Sequence, residues 1–245
     1  MADIKLPQLN NKEEVLTFLK EAPVQLAEVV TGILGSESTE WKMSAGRIIQ
    51  SALKGNLLTR LGNELKKYKD KGEIKDDFLF SDATRMALNE ILKMIDGNDI
   101  PDEIKFRAIK SIFISGINID STNEDEFLAY EFLRTAVGVS GTEVLILKAN
   151  FAIANKQYVN DVGTLIEKNA SPFSRQGWAN IVSNQMGLQG FNTLVSKYEE
   201  NLEKLGLISP RNYDNRFSSE FIPTNKFRLS EMGYKFCQFM TKYEK

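Results

Sequence analysis

The sequence predicts a mainly α protein. An N-terminal multi-helix region, residues 1–138, precedes a C-terminal module, residues 139–245, made of a helix–turn–helix, a small β-hairpin and a closing helix. Three observations predict this. Apolar residues recur at three- and four-residue steps along most of the chain, the period of an amphipathic helix. Capping residues, prolines and glycines mark where those helices start and stop. Towards the end the pattern changes. Two helical runs flank Gly187, a stop at Gly206 gives way to the short apolar pair Leu207–Ile208, and a polar stretch leads to a last helical run.

In the N-terminal region, Val15, Leu16, Leu19, Leu26, Val29, Val30 and Ile33 predict helix over 11–34, interrupted at Pro23. Residues 40–71 form the longest periodic stretch, through Trp41, Ala45, Ile48, Ile49, Ala52, Leu57, Leu61, Leu65 and Tyr68, with Gly55 a candidate junction between two helices. A turn at Gly72 precedes a helix capped by Ser81, with Met86, Ile91, Leu92 and Ile95 inward and a stop at Gly97. Pro101 opens the next helix, where its missing N–H costs nothing. Ser121 is expected to cap a helix through Val137, with Phe127, Leu128, Phe132 and Leu133 inward.

The region boundary falls near Gly138–Ser140. Ser140-Gly141-Thr142-Glu143 matches a capping box and begins an apolar helix containing Val144, Leu145, Leu147 and Phe151. In the connection that follows, Val159, Val162, Leu165 and Ile166 predict a short ordered element, since long structureless loops are uncommon in compact domains.

Composition excludes several functions. The 245 residues are 42% hydrophobic and 26% charged, as in soluble globular proteins, and no apolar run reaches the ~20 residues of a membrane span. The opening MADIKLPQLNNKEE lacks the basic-then-apolar order of an export signal, so a cytoplasmic location is expected. There is no histidine and a single cysteine, Cys237. A Cys/His zinc site, a His-dependent nucleophilic constellation and an intrachain disulfide are all excluded by that count. Catalysis would be left to carboxylates, Lys, Tyr or an oxygen-ligated metal, which disfavours an enzyme and leaves a carboxylate-and-magnesium enzyme as the third class behind two non-enzymatic readings; no cofactor is expected. Net charge is −2, but residues 139–245 hold 13 Lys and Arg against 10 Asp and Glu, while the preceding residues hold 18 against 23.

In the last third, Trp178, Ile181, Val182 and Met186 form the inner face of one helix, and Gly187 allows the chain to turn. Phe191, Leu194, Val195, Tyr198, Leu202 and Leu205 fall at helical spacing in the next. Gly206 stands where a helix end needs a left-handed residue. Leu194-Val195-Ser196-Lys197, Leu202-Glu203-Lys204-Leu205-Gly206-Leu207-Ile208 and Arg228-Leu229-Ser230-Glu231-Met232-Gly233 resemble the MarR- and PadR-like winged-helix families of bacterial regulators. The resemblance covers about a third of the chain. It implies a winged helix-turn-helix that binds double-stranded DNA, with the 190–205 helix in the major groove. It further implies that Gln189, Asn192, Thr193, Ser196 and Lys197 reach base edges, and that Arg211, Arg216, Lys226 and Arg228, in or beside the wing, hold phosphates. A palindromic target would require a homodimer.

The alternative is a non-enzymatic helical adaptor, of a bacterial defence or stress system, whose winged helix binds protein. It is favoured by Glu199, Glu200 and Glu203 standing against only Lys197 and Lys204 in the 190–205 helix. Leu229-Ser230-x-Met232-Gly233-x-x-Phe236-Cys237 is also similar to abortive-infection-type helical proteins, over nine residues. Elsewhere, the basic run from Lys42 to Lys71 is read as the solvated outer face of a core helix, with a phosphate or anionic-partner surface, or a membrane-surface helix with Trp41 at its edge, as its rivals. Glu103-Ile104-Lys105 has the spacing of a nuclease E-x-K triplet but falls in a predicted helix. Cys237, among Phe236, Phe239 and Met240, is expected to pack in the core.

Overall fold

The structure, a computed structural model, describes residues 52–78, 81–96, 100–159, 161–212 and 220–244. The predicted helix at 11–34 and the start of the 40–71 stretch, with Trp41, lie outside the described residues. Among the described residues the protein is mainly helical: α1 (Ala52–Asp70), α2 (Asp82–Asp96), α3 (Glu103–Ile117), α4 (Asn123–Val137), α5 (Gly141–Ala154), α6 (Val162–Lys168), α7 (Arg175–Gln185), α8 (Asn192–Lys204) and α9 (Glu231–Lys242). Strands β1 (Arg211–Asn212) and β2 (Glu220–Phe221) form one antiparallel pair, with Arg211 opposite Phe221 and Asn212 opposite Glu220. The chain divides into two units, one of residues up to Asp102 with Ile109–Val137, the other of Glu103–Ala108 with Gly138–Lys245.

In the first unit α2 packs on α1 and, more extensively, on α4. Leu57, Leu58, Leu61, Leu65 and Tyr68 of α1 are buried while Lys66 and Lys67 are exposed. Lys66 and Lys67 of the basic run therefore lie on the outer face of an amphipathic helix. Two expected inward residues face solvent instead, Met86 in α2 and Phe127 in α4. Next to Phe127 the inward position belongs to Glu126, buried because Lys75 meets its carboxylate at 2.5 Å. Period alone marks a polar residue as outward and cannot anticipate such a partner. The cap of α4 also shifts by one residue. Thr122 and Asp125 exchange backbone-to-side-chain hydrogen bonds at 2.9 and 3.2 Å, while Ser121 Oγ donates to the carbonyls of Gly116 and Asn118.

In the second unit α5 touches α7, α8 and α9. Its sequence, GTEVLILKANFAIA, is apolar on almost every side, as a helix must be when neighbours surround it. The Ser140–Glu143 capping box is present, with Ser140 N–H donating to the Glu143 carboxylate at 2.6 Å. The same carboxylate accepts from Asn201 of α8 at 2.9 Å. Farther along, Trp178 Nε1 of α7 donates to Asn150 Oδ1 at 3.0 Å, satisfying both buried polar groups.

Two glycines make the connections that follow. Gly187 (φ +69°) ends α7, and Gly206 (φ +69°) ends α8. At each, the glycine and the next residue donate back to carbonyls of the last turn: Gly187 to Asn184 and Leu188 to Ser183, Gly206 to Glu203 and Leu207 to Leu202, at 2.9–3.0 Å. This is the paired closure that a left-handed residue permits. After Gly206 the chain runs beside Arg228–Leu229, with an antiparallel bridge between Ile208 and Leu229. Ser230 then caps α9, its Oγ accepting from Gly233 N–H at 2.8 Å.

Gly233 is where α9 crosses the chain end of α8. A Cβ there would lie 1.8 Å from the Leu207 carbonyl oxygen, a backbone atom that cannot rotate away. Gly233→Ala is expected to destabilise the protein by about 2–4 kcal/mol, read as a lower urea midpoint at unchanged slope. Cys237 is fully buried in α9, its S–H directed at the Leu147 carbonyl at 3.7 Å, and burial pushes its thiol far above the ordinary range. Iodoacetamide should therefore leave it unmodified in the native protein and label it stoichiometrically in denaturant.

Candidate nucleic-acid interface

The α7–Gly187–α8 segment presents its residues on two sides. Inward, Trp178, Ile181 and Val182 of α7 and Val195 and Leu202 of α8 are buried. Tyr198 and Leu205 are half-buried, and Phe191 and Leu194, expected inside, are 50% and 40% exposed. The inward position between Val195 and Leu202 is taken by Glu199. This charge is tolerated in the interior because two guanidiniums meet it there.

Those guanidiniums belong to Arg211 and Arg228. Arg211 Nη2 donates to Glu199 Oε2 at 2.8 Å and its Nε stands 3.5 Å from Glu203 Oε1. Arg228 Nη2 donates to Glu203 Oε1, and its Nε lies 3.8 Å from Glu199 Oε1. The side chains of Arg211, Arg228 and Glu199 are at most 3% exposed. Two carboxylates and two guanidiniums make the cluster neutral as a whole. Burial pushes the Glu199 carboxyl up and the Arg228 guanidinium down, and in each case the opposite charges of the cluster pull the other way. The Phe221 ring of β2 lies 4.5 Å from the Arg228 guanidinium and edge-on to Trp178 at 5.1 Å. Phe221 is thus the apolar anchor of the β1–β2 pair, an aromatic that sequence alone leaves without a task.

This placement corrects the reading of Arg211 and Arg228 as phosphate-holding residues. Their charge is spent on Glu199 and Glu203 beneath the surface, where no phosphate has access. It equally corrects the weight given to an acidic helix, since two of its three carboxylates point inward.

On the outer side, Asn192, Thr193, Ser196 and Lys197 come together along α8, with Arg175 and Gln176 of α7 and Glu200 completing a groove of about 510 Å³. Lys197 is exposed and has no ion-pair partner among the described residues. Asn192 Nδ2 is 3.5 Å from Asn180 Oδ1, a contact between the two helices. Gln189 is exposed in the turn but does not line the groove. Lys226 is half-buried, its ammonium 4.2 Å from the centre of the Tyr234 ring. Arg216 lies outside the described residues. Sequence reasoning missed Arg175 and Gln176. Their signal was Ser174, an N-cap whose Oγ accepts from Gly177 N–H at 3.1 Å and starts α7 with both residues in its exposed first turn.

No group of three or more acidic or cysteine residues able to hold a metal ion occurs among the described residues, and no helix there is long and apolar enough to cross a membrane. No family model, curated protein or solved structure matches the chain.

Removing one charge of the buried cluster strands its partners in the interior. Arg228→Met alone is expected to cost about 3–5 kcal/mol of unfolding free energy. Glu199→Met with Arg228→Met leaves the Arg211–Glu203 pair balanced, so it should recover most of that loss in urea titrations. Equal destabilisation by the single and double variants would show that the cluster's charges are not coupled.

Proposed function

We propose that this protein is a DNA-binding regulator or accessory factor, with the second unit acting as a winged helix-turn-helix and α8 entering the major groove. The observation that carries this is the inward direction of Glu199 and Glu203. With those carboxylates engaged by Arg211 and Arg228, the outer face of α8 offers Asn192, Thr193, Ser196 and Lys197 to a ligand. Amide, hydroxyl and ammonium groups are those that hydrogen-bond base edges and phosphate oxygens. The order of parts supports the same reading: two helices joined at Gly187, a stop at Gly206, an antiparallel pair and a capped closing helix. In this proposal Gln189 contacts DNA from the turn, Lys226 and Arg216 contact the phosphate backbone, and a homodimer serves a palindromic site.

Binding to protein is supported by a separate observation. Leu188, Phe191 and Leu194 are exposed around the entry to α8, and Leu188 also lines a shallow groove with Leu145, Ala149, Ala152 and Met186. Contiguous exposed apolar side chains suit a protein partner better than a phosphate backbone. In that case the module is an adaptor.

Fluorescence anisotropy with a mixed-sequence duplex across a salt series separates the two. DNA binding predicts an affinity that falls steeply with salt, because phosphate neutralisation releases counterions. Lys197→Glu should weaken it about tenfold or more and reduce the magnitude of the log–log salt slope by about 1. An absence of binding at low salt removes the DNA proposal and leaves the adaptor.

A further inference from the structure

The rim of the α7–α8 groove carries an ion pair unlike the buried cluster behind it. Arg175 Nη2, from the first turn of α7, donates to the Glu200 carboxylate and, at 3.4 Å, to the Ser196 carbonyl of α8. The side chains of Arg175 and Glu200 are 43% and 52% exposed, and both line the groove with Lys197. Of the three charged groups lining it, two are cations and one is a carboxylate. While Arg175 is held by Glu200, Lys197 is the uncompensated charge of the three.

Strength decides what such a pair can do. An ion pair open to water on both sides contributes little, because solvent screens it and two long side chains must be held in one geometry. A guanidinium fork on a phosphate is among the stronger polar contacts proteins make. Glu200 can therefore delay the transfer of Arg175 to a phosphate without preventing it. Arg211 and Arg228, with their charges buried, have no such freedom.

We infer that Arg175 and Glu200 form a latch over the groove, in which Arg175 is a phosphate-contacting residue and Glu200 is its internal competitor. Opening the latch moves one cation from a carboxylate to the nucleic-acid backbone. The acidic residue on the outer face of α8 then sets the affinity for duplex DNA and keeps non-specific binding weak. The inference rests on the DNA-binding proposal above.

The test is a double-mutant cycle on the full chain, with Kd for one mixed-sequence duplex measured over a salt series. Glu200→Gln should tighten binding about three- to tenfold and steepen the salt slope by about 1, since a further phosphate is neutralised. Arg175→Gln should weaken binding, and in the Arg175→Gln background Glu200→Gln should give no gain, because no guanidinium remains to be released. Both side chains are exposed, so unchanged thermal melting serves as the control for folding. A Glu200→Gln gain that persists without Arg175 would mean simple long-range charge removal and would overturn the latch. So would unchanged affinity in Glu200→Gln while Lys197→Gln still weakens binding, and in that case the DNA proposal stands alone. If neither the parent nor Glu200→Gln binds duplex at low salt, the DNA proposal fails and the latch with it.

Discussion

The cluster of Glu199, Glu203, Arg211 and Arg228 is the interaction on which the face of α8 depends. Each of these groups loses its hydration on burial, and each regains interaction energy only if the opposite charges are in place. Arg211 comes from β1 and Arg228 from the segment before α9, so the cluster ties α8 to both of these segments at once. Phe221 covers the guanidiniums and joins them to Trp178, which is hydrogen-bonded to α5 through Asn150. The line from α5 through α7 to the β1–β2 pair is therefore continuous, alternating aromatic packing with hydrogen bonds and ion pairs.

A consequence follows for charge at the surface. By composition α8 is an acidic helix, with Glu199, Glu200 and Glu203 against Lys197 and Lys204. Two of its carboxylates are neutralised in the interior and the third is paired with Arg175. The helix therefore presents an outer face different from the one its formula implies. The two kinds of pair differ in what they permit. The buried cluster resists change because any unpaired member would be stranded in a low-dielectric interior. The exposed Arg175–Glu200 pair is held weakly, because water screens it and can take the place of either partner.

Local features were legible in sequence where the cause is local. The Ser140–Glu143 capping box, the Ser81 cap, the Gly187 and Gly206 turns and the short element at 162–168 depend on a few adjacent residues, and each is recognisable from the residue types at those positions. Inward faces were misread in α4 and α8, where a carboxylate takes an inward position. Phe127 was expected inside α4, and Phe191 and Leu194 inside α8, yet Glu126 and Glu199 hold inward positions there. Both carboxylates owe their burial to cations distant in sequence, Lys75 for Glu126 and the two arginines for Glu199. Helical period carries no trace of such partners. The groove was half legible: its α8 residues were expected from the resemblance, whereas Arg175 enters it only because α7 starts beside the outer side of α8.

The sequence by itself determined that this is a mainly helical chain without histidine, with one cysteine, and with helix ends placed by caps and glycines. These follow from composition and from forces acting over a few residues. Only the tertiary structure decided which charges are buried and which stay at the surface. The energy of a charge depends on its surroundings more than on its identity, and the surroundings of Glu199, Arg211 and Arg228 are assembled from segments that meet only on folding.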